Sequence, residues 1–279
     1  GPPLRTFRAP GTAPSAVRSA ASSSLTRAEP VSSDRPRVSG PSRQLGLLVF
    51  TVGLATLGAE IAAARLIAPW FGASTIVWAN TIATVLVALS IGYWLGGRFA
   101  DRDPTIGGLS RLVLLGALML MAVPFVAGPF LRISVDALDR VEAGAAVGSL
   151  LAVLALIAAP VLVLGCVAPW ALRLAITGVE DAGTISGRLS AIATVGSLAG
   201  TFSSALLLIP FLGTRRTFLV YAIALCAVAA PGLARRRWAA AAAVLGVALA
   251  LVPAGTVKAG GGRVIWEADT EYQYARVVE

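Results

Sequence analysis

From Leu45 onward the chain is a succession of apolar runs, most of them near the roughly 20 residues that an α-helix needs to cross the hydrocarbon core of a bilayer. Seven can be read: Leu45 to Ile67, Thr75 to Gly96, Leu109 to Leu131, Ala145 to Cys166 with a continuation to Ile176, Leu189 to Phe211, Thr217 to Leu233, and Trp238 to Val252. Lipid offers backbone amides no hydrogen-bonding partner, so such runs are constrained to fold as helices. The expected fold is an all-α polytopic membrane protein of about seven transmembrane helices over residues 45–253. Its sixth and seventh runs are short and alanine-rich, and read as two spans or as one tight hairpin. Pro160 and Pro169 should kink or break the fourth, because proline removes a helical donor and its ring crowds the preceding turn. Composition agrees: 57% of residues are apolar and 13% charged, a balance that a soluble domain of this length could not bury.

The formal charge of +9 does not point to nucleic acid, because no basic stripe interleaved with aromatics accompanies it. The arginines fall instead in the N-terminal tail and in short connections. Arg27, Arg35, Arg37, Arg43, Arg98, Arg102, Arg111, Arg173, Arg188, Arg235, Arg236 and Arg237 share one side, against Arg132, Arg140, Arg215, Arg216, Lys258 and Arg263 on the other. This asymmetry predicts an integral protein of a plasma (bacterial inner) membrane with a cytoplasmic N-terminus. Seven spans then place the C-terminal tail outside. Trp70 and Trp78 bracket the first external connection, and Trp94 and Trp238 lie near internal span ends, where indole rings anchor at the interface. Residues 1–44, rich in Ser, Ala, Pro and Arg and without an apolar period, read as a disordered basic tail.

No histidine is present, and the two cysteines, Cys166 and Cys226, stand far apart inside apolar runs. They read as small core residues, and no metal site is expected.

Polar residues inside the spans need a reason. Glu60 lies in the first run, where a charge costs about 2.5–3.5 kcal/mol at mid-bilayer. It reads either as a proton or cation site or as a group paired with Arg65 or Asn80 that locks the first span to the second. Arg65 is near enough to the span end to snorkel, and Asn80 is expected to hydrogen-bond across helices. Gly92-xxx-Gly96 and Gly196-xxx-Gly200 carry the spacing that lets helix backbones approach closely, here expected within one chain.

After the second run comes Gly96-Gly97-Arg98-Phe99-Ala100-Asp101-Arg102, which resembles the Gly-xxx-Asp-Arg core of the loop between helices two and three of major facilitator transporters. The further Gly-Arg-Arg of that motif is missing, with Pro104, Gly107 and Gly108 in its place. The order Glu60-xxxx-Arg65-xxx-Pro69-Trp70-Phe71-Gly72-Ala73-Ser74, Trp78 and then the Gly-Gly-Arg-Phe-Ala-Asp-Arg stretch resembles the start of bacterial membrane-fused spermidine synthases. Gly187 to Gly213 is similar to a late span of the same group.

Residues 254–262 read as a Gly-rich linker; Gly260-Gly261-Gly262 follows a span and precedes a strand, the wrong context for a nucleotide-cradling loop. Val264-Ile265-Trp266 and Tyr272 to Val278, with polar Glu267 to Glu271 between them, read as a β-hairpin. Such a hairpin does not belong in lipid, so residues 263–279 are expected to open a truncated soluble β-domain. Glu267, Tyr272 and Gln273 match in order the Glu-xx-Ser-x-Tyr-Gln pattern of aminopropyltransferases, although Asp269-Thr270-Glu271 replaces its Ser spacing. The resemblance implies that Gln273 contacts decarboxylated S-adenosylmethionine, the co-substrate of a parent enzyme that transfers an aminopropyl group to a polyamine. The chain itself is expected to hold no cofactor and no catalytic residue; its partners would be the bilayer and a polyamine. The alternatives are a small-molecule or polyamine transporter with Glu60 as its cation site, and a pure membrane anchor. An outward-facing tail sits awkwardly with an enzyme that uses cytoplasmic metabolites.

Overall fold

The computed structural model describes residues 42–138, 144–176, 178, 180–234, 237–251, 264–269 and 274–278. The N-terminal tail up to residue 41, the Gly-rich linker and Gln273 lie outside these.

Helix α1 (Arg43–Phe71) starts at Ser42, whose hydroxyl accepts from the Leu45 amide, and it ends at Gly72 with φ of 82°. That left-handed φ suits glycine, which has no Cβ to clash there. Helix α2 (Thr75–Arg102) starts the same way, with Ser74 accepting from the Val77 amide. It runs on through Gly96 to Arg102, so the Gly-Gly-Arg-Phe-Ala-Asp-Arg stretch, read from sequence as a loop, is helical. Neither glycine breaks the helix; it stops at Asp103, before Pro104, as expected where proline disfavours helical geometry in the residue ahead of it. Helix α3 (Ile106–Leu138) follows.

The fourth apolar run is a composite of α4 (Gly144–Val153), a five-residue π-helical turn over Leu154–Ala158, α5 (Ala159–Gly165) and α6 (Val167–Ala175). The fifth repeats the device, with α7 (Ala182–Ser203), a π-turn over Ser204–Leu208 and α8 (Ile209–Leu212). Each π-turn ends two residues before a proline, Pro160 or Pro210. The wider turn accommodates the pyrrolidine ring and the carbonyls it leaves without donors, so proline widens these spans instead of ending them. Helix α9 (Thr214–Ala229) closes with a short 3₁₀ turn over Ala230–Gly232, and α10 (Arg237–Leu251) follows.

Six helical stretches among the described residues are long and apolar enough to cross a membrane: Arg43–Phe71, Thr75–Arg102, Ile106–Ser134, Ala146–Ala175, Ala182–Leu212 and Thr214–Gly232. They are called the first to sixth spans below. The seventh run differs from expectation: α10 has 15 residues, or about 22 Å at 1.5 Å per residue, short of the roughly 30 Å hydrocarbon core. It packs against α9 as an addition to a six-span bundle.

Two parallel helix pairs organise the bundle. The first span runs alongside the fifth, and the second alongside the fourth. In the first pair a Cβ on Gly196 would strike the Phe50 carbonyl, and one on Gly200 the Leu54 carbonyl. One turn further, the Ser204 hydroxyl donates to the Gly58 carbonyl at 2.9 Å. In the second pair Gly92 abuts the Leu162 carbonyl and Gly96 the backbone of Cys166. Both glycine motifs therefore sit at seams inside the chain. The third and sixth spans pack on each other, with the sixth also against the first and the third against the fourth.

Beyond the helices, Val264–Asp269 and Tyr274–Val278 form a two-stranded antiparallel ladder, with an irregularity between Val264 and Trp266. The first strand continues through Glu267 and Asp269, residues that the sequence had suggested as part of the polar connection.

A methyl group at Gly200 has to displace the Leu54 backbone. Gly200→Ala should therefore cost about 1–3 kcal/mol by overpacking. Gly97→Ala, in a helix with open space around it, should be neutral or stabilising by up to about 1 kcal/mol. Thermal unfolding in detergent compares the two.

Candidate functional site

The sequence nominated Glu60, Arg65 and Asn80 as one polar site, but the structure separates them. Asn80 donates to the Ala146 carbonyl at 2.8 Å and to the Ser149 hydroxyl at 2.9 Å. It thus clasps the second span to the fourth near the face opposite the arginine-rich one and has no contact with Glu60. Arg65 follows Glu60 by five residues, which turns it about 140° around the helix; the two form no ion pair. Glu60 is half-buried, and its carboxylate makes no hydrogen bond or ion pair with a described residue. An ion pair does form between Asp101 and Arg173, at 3.4 Å between largely exposed side chains. It ties the ends of the second and fourth spans, where solvent screening leaves it little weight.

A second polar group lies along the first–fifth seam. The Tyr221 hydroxyl donates to the Gly200 carbonyl at 3.0 Å and stands 2.6 Å from the Ser204 hydroxyl and 3.0 Å from that of Ser203. Gly58 makes room for the Tyr221 ring. Every hydroxyl in this cluster is partnered, and it joins the first, fifth and sixth spans.

Between the two parallel pairs lies a crevice of about 440 Å³. Val49 of the first span and Leu189, Ser190, Ala193 and Thr194 of the fifth form one wall. Tyr93 of the second span and Ala168, Pro169 and Leu172 of the fourth form the other. The crevice begins near the arginine-rich ends of these helices. It continues into a narrower cleft of about 80 Å³ that shares Val49, Tyr93, Ala168 and Ala193 with it and reaches Thr56 and Ser197. No charged residue lines either part. The Thr56 hydroxyl donates to the Val52 carbonyl at 2.8 Å, Thr194 to the Ser190 carbonyl at 2.9 Å, and Ser197 to the Gly53 carbonyl at 3.4 Å. These hydroxyls are common residues at unremarkable spacings, so nothing in the sequence marked them as a group.

Arg98 lies over the Trp94 ring at 5.0 Å, and Arg237 over Trp238 at 5.9 Å. The first pair lies at the end of the second span and the other at the start of α10, both on the arginine-rich side, where a cation held on an indole face suits the interface. Cys166 and Cys226 are free thiols and buried. Among the described residues no group of His, Cys, Asp and Glu could hold a metal ion.

Comparison with protein-family models, with curated proteins and with solved structures gives no match.

Asn80→Ala should destabilise the bundle by about 1–2 kcal/mol, since it removes two cross-helix hydrogen bonds that average roughly 0.6 kcal/mol each within a membrane. Its effect should be less than additive with Ser149→Ala, because the two side chains share one bond. Ser90→Ala, which removes an exposed hydroxyl bonded within its own helix, should change little. A double-mutant cycle read by thermal unfolding gives the coupling directly.

Proposed function

We propose that this chain is the membrane module of a spermidine synthase-like aminopropyltransferase, anchoring in the plasma membrane an enzyme domain that opens at the C-terminal strands. The observation that carries the reading is the order of parts. A helical bundle with the Glu60 to Ser74 and Gly96 to Arg102 sequences is followed by a polar linker and an antiparallel ladder of residues 264–269 with 274–278. A backbone ladder of two strands leaves open edges that lipid cannot satisfy, which supports a hairpin belonging to a soluble domain. In that domain Gln273 would contact the decarboxylated S-adenosylmethionine donor. A putrescine-like amine would attack the donor's aminopropyl carbon, with an acidic residue outside this chain taking the proton.

The six long spans also bear on sidedness. If α10 lies along the membrane instead of crossing it, an even number of crossings returns the C-terminal strands to the cytoplasmic side, where the donor is made. The conflict raised by seven spans then disappears.

A second reading, favoured by the crevice between the helix pairs, is that the bundle handles a small molecule itself, as a transporter-like module.

The full-length protein in native membranes, supplied with radiolabelled decarboxylated S-adenosylmethionine and putrescine, should form labelled spermidine. Gln273→Ala should raise KM for the donor with a smaller effect on kcat. If no aminopropyl product forms with any amine offered, the aminopropyltransferase reading falls.

A further inference from the structure

The two parallel pairs are related to each other. Exchanging the first span with the fourth, the second with the fifth and the third with the sixth maps the first–fifth contact onto the fourth–second contact. The same exchange maps first–sixth onto fourth–third and returns third–sixth to itself. Successive spans cross in opposite directions, so the first and fourth run oppositely. The operation is therefore a pseudo-twofold axis in the membrane plane. The seam glycines occupy corresponding places in the two halves, Gly92 and Gly96 on the second span and Gly196 and Gly200 on the fifth. Under this symmetry the walls of the crevice are counterparts of one another. Bundles of this construction bind their ligands near the bilayer midplane, at the interface of the repeats.

The lining states what chemistry the crevice suits. Thr56, Thr194 and Ser197 each direct their single hydroxyl proton to a backbone carbonyl. Toward the crevice these three can only accept hydrogen bonds, and the Ser186, Ser190 and Tyr93 hydroxyls that also line it can accept as well as donate. Tyr93 adds an aromatic ring to the opposite wall, and ring faces attract cations. Glu60 lies one helical turn beyond Thr56 on the same face of α1, without a hydrogen bond or ion pair to a described residue. Between the polar levels the walls are Val, Leu, Ala and Pro. Acceptors, a π face, a nearby carboxylate and apolar walls together fit a donor-only cation on a short aliphatic body.

We propose that the crevice between the first–fifth and second–fourth helix pairs is a binding site for a small alkylammonium ion. The proposal deepens the transporter-like reading of the bundle and stands independently of aminopropyl transfer.

The test uses the single-cysteine variant Thr194→Cys of the whole chain in oriented vesicles, with Cys166 and Cys226 replaced by alanine. Matching thermal unfolding midpoints establish that each variant is folded. Thr194→Cys should react with a membrane-impermeant maleimide from the arginine-rich side. Saturating n-butylammonium chloride should slow labelling of Thr194→Cys at least fivefold, whereas 1-butanol at the same concentration should not. Adding Glu60→Gln should shift half-protection to at least tenfold higher n-butylammonium. Equal effects of the amine and the alcohol, or protection unchanged by Glu60→Gln, would overturn the ligand assignment. Because none of these readouts involves spermidine formation, failure here and failure of the aminopropyltransferase reading are separate results.

Discussion

The bundle depends on the parallel contact between the first and fifth spans. Its registration is strict: Phe50 meets Gly196, Leu54 meets Gly200 and Gly58 meets Ser204, each pair 146 residues apart and one turn further into the membrane. Within a bilayer no hydrophobic force drives apolar helices together, so close packing and interhelical hydrogen bonds must hold them. The seam supplies both. Glycine on α7 brings backbone against backbone, and serines 197 and 204 donate to carbonyls of α1 at 3.4 Å and 2.9 Å. Tyr221 then adds the sixth span to the seam through the space that Gly58 leaves for its ring.

The same economy of space explains the second–fourth pair and the gap between the pairs. Gly92 and Gly96 draw α2 onto α5, where Gly165 answers with its own lack of a side chain. Each pair is thus tight within itself. Against one another the pairs meet through larger side chains such as Val49, Tyr93 and Leu172, which cannot close to the same distance. A crevice follows from that inequality, and it lies where hydroxyls already engaged with backbone carbonyls present acceptor lone pairs. Pro160 and Pro210 fit this scheme, since the π-turn ahead of each lets a span continue across the membrane.

Much of the architecture was legible in the sequence because lipid permits so few backbone solutions. The apolar runs located six spans with ends within seven residues of those observed, and the Gly-xxx-Gly spacings pointed to seams. The Gly-Gly-Arg stretch misled: glycine and charge suggested a loop, whereas the helix held until Asp103, just before Pro104. Asn80 advertised a cross-helix bond through the cost of burying its amide, but its partners lie 66 and 69 residues away, beyond any local pattern. The crevice was not legible, since serine and threonine are frequent in such helices and only the fold brings these together.

The central claim is the parallel, in-register contact of the first and fifth spans, and intramolecular disulfide crosslinking tests it most directly. A Cβ at Gly46 lies 3.7 Å from Ile192, again 146 residues on. With Cys166 and Cys226 replaced by alanine, Gly46→Cys with Ile192→Cys should crosslink within the chain under mild oxidation in membranes. Gly46→Cys with Leu206→Cys, at the far end of the fifth span, should not. Crosslinking of the second pair without the first would mean that the spans are antiparallel or out of register, and would contradict the arrangement on which the seam, the crevice and its symmetry rest.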